Sequence, residues 1–285
     1  MLNLILINTQ VYPQTESLKL EEPFRTVYSL GTLQITSVSE ARALVKILME
    51  HLRKNVNSTR SFETVVCENN TQLEEALKQG YDLTIVPIDD FFRLRKQFKL
   101  VPHYTNQTDG GAGFNYLLAV NRNDTITQLK SLKGSDINVQ QHSKSSLSIK
   151  LLDKLLKDSK LPESKKYFGN IIQKPTAQGA ILSLVLGKAK AALFTEQSFK
   201  VVKELNPHLE KQLRIIYRSP RLLVGLTCTN EAKQYNASSK KLIDIFSKLH
   251  EDEYGKQLMN IFLTEKLVPV KEEDLQSYLK FFAEK

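Results

Sequence analysis

An α/β fold of two lobes, each a mixed, mostly parallel sheet flanked by helices, is the architecture this sequence predicts. Three observations lead to it. Short apolar strand-like runs alternate with helix-period segments over 24–91 and again over 137–205, the βα alternation of strands covered by helices. Two continuous apolar runs, 116–121 and 222–227, separate these series and read as two crossover strands between the lobes. Finally, 285 residues with 41% hydrophobic and 25% charged side chains are enough for two cores of ordinary size. No apolar run approaches the ~20 residues a membrane-spanning helix needs.

In chain order, the first strand is expected at 24–30, F-R-T-V-Y-S-L, with a polar loop opening at Gly31-Thr32. Ser37-Val38-Ser39-Glu40 has capping-box spacing. Ala41, Leu44, Val45, Leu48 and Leu52 then fall on one helical face. A strand at 63–67 precedes a second capping box, Thr71-Gln72-Leu73-Glu74, whose helix ends near Gly80. The third strand is 82–87, and Asp89-Asp90 starts the third helix. After 100–105 and a glycine-rich turn at 109–113 comes the buried strand 116–121, then a short helix at 127–132 stopped by Gly134.

The second series begins with a strand at 137–139 and a helix carrying Leu147, Leu151, Leu152 and Leu155 to about Lys157. It continues as strand 170–173, helix 176–186 closed by Gly187, strand 191–194, helix 196–205 and strand 213–217. After 222–227 only helices are expected, at 238–250, 254–262 and 272–282. The first lobe is expected to take 24–121 and 220–285, and the second 122–219. Residues 1–23 read as an N-terminal extension or signal remnant, with a brief apolar run at 2–7 that lacks a preceding Lys or Arg.

Between the strand at 137–139 and its helix sits His142-Ser143-Lys144-Ser145-Ser146. Hydroxyls and free N–H groups at the positive end of a helix, with a lysine beside them, make an anion-receptive turn. The same residues also read as an ordinary serine-rich cap with a solvated lysine. Asp89 and Asp90 read as N-capping acids at a helix start that also complement the helix dipole, or as partners for a cationic group in a cleft. Tyr28 reads as a cleft wall or a core tyrosine. Thr176 and Thr195 read as helix caps or as hydroxyl donors to a ligand.

The formal net charge of +9 suits nucleic acid, an anionic surface or anionic small ligands. No basic stripe interleaved with aromatics is present, so a solvated basic surface is expected and nucleic acid is not. Cys67 and Cys228 lie in separate strand-like runs and read as buried free thiols, a single bridge being the alternative in an exported protein. The five histidines lack metal-ligand spacing, and no G-x-S-x-G elbow occurs. Neither a metal, a cofactor nor catalysis is expected.

Four pieces recur in a characteristic order: D-G-G-A-G-F-N-Y-L-L-A-V-N-R-N-D at 109–124, L-K-S-L-K-G at 129–134, A-I-L-S-L-V-L-G-K-A-K-A-A at 180–192, and Y-R-S-P at 217–220. With the serine-rich turn between them, they resemble the phosphate/phosphite/phosphonate-binding (PhnD-like) proteins of ABC transporters over about 24–265. The resemblance implies a type II periplasmic-binding-protein fold and an extracytoplasmic protein. It implies capture of a small oxyanion-like ligand in an interlobe cleft and delivery to an ABC permease. A periplasmic sensing module for a kinase or membrane regulator is the alternative, and an enzyme on this fold a third reading.

The family's anion-binding hydroxyl cluster maps onto Ser143, Lys144 and Ser145, with Lys144 where a threonine is usual and Ser146 in place of a glycine. Its His-Asp pair falls on Ala177 and Gln178, after Thr176. Its acidic residue falls near Thr195, beside Glu196. Its first-lobe turn, G-P-x-x-Y, reads Pro87-Ile88-Asp89-Asp90-Phe91. The resemblance therefore implies the fold more closely than the ligand.

Overall fold

The structure, a computed structural model, describes residues 23–32, 38–56, 60–141, 147–232 and 237–283. The chain begins β1 (Phe24–Ser29), α1 (Val38–Val56), β2 (Phe62–Cys67), α2 (Asn70–Lys78), β3 (Leu83–Pro87), α3 (Ile88–Leu94), β4 (Leu100–Thr108), β5 (Gly111–Ala112) and β6 (Tyr116–Asn121). It continues β7 (Ile137–Gln140), α4 (Leu147–Asp158), α5 (Ser164–Tyr167), β8 (Ile171–Lys174), α6 (Ala177–Val185), β9 (Ala191–Thr195), α7 (Glu196–Leu205), α8 (Pro207–Lys211) and β10 (Leu213–Arg218). It closes with β11 (Gly225–Asn230), α9 (Ala237–Ser247), α10 (Glu253–Ile261), β12 (Lys266–Pro269) and α11 (Glu272–Phe282).

Two sheets result. One has the order β12-β4-β11-β3-β1-β2, with β5 paired to β4; the other is β10-β6-β9-β7-β8. Both are mixed, as expected. Parallel pairing is confined to β2-β1-β3 and β8-β7-β9, the strands followed by helices. The rest of each sheet is antiparallel, a larger share than "mostly parallel" implies.

The sheet partners shift one expected boundary. Placing 24–121 together puts β6 with the first sheet, but β6 pairs with β9 and β10 in the second. The crossings lie at Phe114-Asn115 and 219–222, where Phe114 bridges Leu222 and the Asn115 amide donates to the Ser219 carbonyl at 2.8 Å. Gly113 has φ +77°, and a Cβ there would stand 2.2 Å from the Leu222 carbonyl oxygen. Only glycine admits this close passage of the two crossing segments.

Other elements differ locally. The run 222–227 becomes a strand only from Gly225. The helix at 127–132 is a 3-10 turn over Leu129–Leu132. The C-terminal region contains β12 among its helices, antiparallel to β4. At α2 the cap is Asn69, accepting from the Gln72 N–H at 3.0 Å, while Gln72 returns an oxygen to the Glu68 N–H. That is a reciprocal capping arrangement displaced from the expected Thr71. Of the other expected box, Ser37 lies outside the described residues.

Three apolar clusters hold the layers. Phe24, Tyr28 and Ile85 pack against α1, α9 and α10 on one face of the first sheet. Leu117, Ala192 and Phe194 pack against α6, α7 and α8 on one face of the second. The largest cluster contains residues of both sheets: Val27 and Phe91, Leu118, Val139 and Leu151, and Leu275 and Tyr278 from α11. It lies between α2, α3 and α11 on one side and α4 and α5 on the other, so the two halves are in apolar contact.

Candidate functional site

Parallel strands send all following helices off the same edge. In the first sheet that edge carries the start of α3; in the second, the starts of α4, α6 and α7. Helix starts leave N–H groups unpaired and bear partial positive charge, so each edge is suited to an anion.

A polar cluster links the edges. Asp89, in the first turn of α3, forms an ion pair with Lys150 of α4 and accepts from the Tyr278 hydroxyl of α11 at 2.9 Å. Lys150 Nζ lies 3.5 Å from that hydroxyl, 5.2 Å from the Tyr278 ring centre and 4.4 Å from the Phe282 ring centre. The ammonium therefore sits among a carboxylate and two aromatic faces, a favourable cation–π arrangement. Beside it lie buried Tyr116 of β6 and Ser148, whose hydroxyl donates to the Gln140 backbone carbonyl at 3.2 Å. Burial raises the pKa of both phenols, and the Asp89 carboxylate adds to it. Both therefore remain protonated donors at neutral pH.

Asp89 thus does not serve as the cap: α3 begins after Pro87 with no side-chain cap bond. Asp90 is likewise committed, to Arg93 at 2.7 Å, and Arg93 also pairs with Glu74. The acidic pair brings no uncompensated charge to the interface.

In the second half, Gln140 ties the end of β7 to the start of α7. Its side-chain Oε1 accepts from the Thr195 N–H at 2.9 Å, and its side-chain Nε2 donates to Ser198 Oγ at 2.8 Å. Thr195 caps α7: its oxygen accepts from the Ser198 N–H at 3.2 Å, and its hydroxyl donates to Ser198 Oγ at 2.9 Å. Thr176 caps α6 by accepting from the Gly179 N–H at 3.0 Å. Both threonines therefore have cap partners.

Tyr28 is 2% exposed, in the apolar layer beneath α1 and α9, not in the Asp89–Lys150 cluster. His142, Ser143, Lys144 and Ser145 lie outside the described residues; their segment joins Gln141, whose N–H donates to the Lys174 carbonyl, to Leu147 of α4. Sequence reading did not single out Lys150, Tyr278, Tyr116 or Ser148. Only Ser148 and Lys150 offered a signal, polar residues in the first turn after the serine-rich stretch.

Cys67 and Cys228 are free thiols in β2 and β11, 1% and 0% exposed. Burial pushes the Cys67 thiol up to about 11 and raises Cys228 as well. Neither is poised as a nucleophile, which needs the thiolate. Among the described residues, no helix is long and apolar enough to cross a membrane.

Comparison with known proteins fits this geometry. PhnD1 from Prochlorococcus marinus in complex with methylphosphonate superposes with a TM-score of 0.68 at 13% identity, covering 91% of this chain and 97% of that one. A binding protein component of an ABC phosphonate transporter from Pseudomonas aeruginosa gives 0.66 at 12%, covering 91% and 85%. The periplasmic aliphatic sulphonate binding protein SsuA from Escherichia coli gives 0.55 at 16%, covering 92% and 90%. These likenesses establish the two-lobed type II periplasmic-binding-protein fold. No curated protein matches the chain. The model of a family described as "ABC transporter, phosphonate, periplasmic substrate-binding protein" matches residues 30–275. Spanning most of the sequence, that match places the chain in the phosphonate family of periplasmic substrate-binding proteins of ABC transporters.

Proposed function

We propose that this protein binds a small tetrahedral oxyanion, an alkylphosphonate without an amino group, between the starts of α3 and α4. The ligand is passed to an ABC permease. The observation that carries this is the occupied acidic position: Asp89 is neutralised by Lys150, and Asp90 by Arg93. An anion approaching the helix starts meets no free carboxylate from this pair, and a ligand ammonium would have to displace Lys150. Ser143 and Ser145 supply hydroxyls, with Lys144 as counter-charge and His142 beside them. Thr176 and Thr195 hold the helix starts whose N–H groups face the anion.

The protein acts by binding, not by catalysis, consistent with buried cysteines of raised pKa and with a family named for substrate binding. Its place of work is extracytoplasmic, as the family name states. A permease fits that name better than a sensor kinase.

Calorimetry with methylphosphonate, phosphate, methanesulfonate and 2-aminoethylphosphonate tests the reading. Methylphosphonate should bind more tightly than 2-aminoethylphosphonate. Joint replacement Ser143→Ala and Ser145→Ala should weaken it at least tenfold, the loss of one to two hydrogen bonds to a charged group, with the circular-dichroism spectrum unchanged. A preference for the amino compound, or affinity indifferent to the serines, defeats the proposal.

A further inference from the structure

A cavity of about 100 Å³ lies inside the first half, between the seven-stranded sheet and α1, α9 and α10. Its walls are mainly apolar, with Leu48, Phe246, Leu258 and Met259 among them. Two polar atoms break the pattern. Tyr28 Oη and Asn106 Nδ2 are buried and have no hydrogen-bond partner among the described residues, and both residues line the cavity. Tyr28 itself is 2% exposed. The other hydroxyls of the wall with assigned bonds are committed to backbone: Thr32 to Ser29, Thr105 to Gly225 and Thr264 to Phe262.

Leaving a buried donor unpaired costs about 1–3 kcal/mol, so two of them on one cavity wall point to something that accepts from both. Asn106 Nδ2 can only donate, and the Tyr28 hydroxyl can donate. One oxygen with two lone pairs satisfies the pair. The space is smaller than the ~150 Å³ cavity that holds benzene, yet several times what one water needs.

We propose that this cavity is a second binding site, for a small neutral molecule of alkyl bulk carrying one carbonyl oxygen. The carbonyl accepts from Tyr28 and Asn106 while the alkyl part fills the space beside Leu258 and Met259. The site shares no lining residue with the Asp89, Lys150, Tyr278, Tyr116 and Ser148 cluster, so it stands or falls independently of the oxyanion reading.

The test is titration of methyl-¹³C-methionine-labelled protein with 2-butanone, with cyclopentane as a hydrocarbon of similar size. Met259 lines the cavity and Met49 does not, so each spectrum has an internal control. A saturable shift of Met259, Met49 unmoved, is expected for butanone. Tyr28→Phe removes one donor with little change of shape and should weaken butanone roughly tenfold, leaving cyclopentane and methylphosphonate unaffected. Filling the space with Leu258→Trp should abolish the Met259 response. Four results would each overturn the proposal: no saturable shift, equal affinity for ketone and hydrocarbon, loss of methylphosphonate binding in Tyr28→Phe, or a crystal of butanone-soaked protein with only waters on Tyr28 and Asn106.

Discussion

Single residues in this protein are decided by their neighbours across the fold. Asp89 reads from sequence as a first-turn acid, which it is, but its partner is 61 residues away on another sheet's helix; no local pattern encodes that pairing. The face taken by Tyr28 was hidden for another reason. β1 is central and buried on both sides, so it lacks the polar alternation that would show which way each side chain points. His103 offers a test at this scale. Half-buried in β4, it lies 2.7 Å from Thr229 Oγ1, and burial lowers its pKa. The folded protein then holds that proton less tightly than the unfolded chain, whose histidine titrates near ~6.5. Its contribution is complete above that pH and is lost as pH falls through the lower folded value. His103→Gln, which keeps a hydrogen-bonding group for Thr229, should show a smaller drop in urea midpoint between pH 7 and pH 5 than the unaltered protein.

Elements were the most legible level, because helices with one apolar stripe and strands with buried runs announce themselves over several residues. α7 and α11 were read with their observed bounds, and α1 and α4 within a few residues. β12 was missed: four residues ending in Pro269 carry too little pattern, and its strand character comes from pairing with β4. The antiparallel partners within each sheet were equally silent, since they depend on which distant edge a strand reaches. The crossing at Gly113 is an element-scale constraint with a sharp consequence. Gly113→Ala pairs a left-handed φ with a 2.2 Å contact to backbone; carbonyl and crossing strand must both shift. A loss of roughly 2–4 kcal/mol in unfolding free energy is expected, read by denaturant titration. Gly110→Ala, with φ +73° but nothing within 4 Å, should cost only about 1 kcal/mol.

For the whole molecule, the type II architecture was legible from the order of motifs, whereas contact between the halves was not. The Asp89–Lys150 pair joins them, with side chains 33% and 37% exposed, and partly exposed pairs contribute about 0–1 kcal/mol. That is small against folding but not against an opening equilibrium, which 1 kcal/mol shifts about fivefold. Lys150→Met should therefore raise the radius of gyration of the ligand-free protein in small-angle X-ray scattering, with an unfolding midpoint close to the original. An unchanged radius would mean the apolar contacts alone keep the halves together.

The late arrival of β11 has a consequence for biosynthesis. Strands β6 to β10 form one uninterrupted stretch, complete once Arg218 leaves the ribosome. At that moment the neighbouring sheet has a gap, because β11 must slot between β3 and β4 and is still inside the ribosome. The nascent chain therefore carries a finished module flanked by an open, hydrogen-bond-hungry groove. A pause after Arg218 has emerged and before Asn230 does would expose that groove to foreign strands.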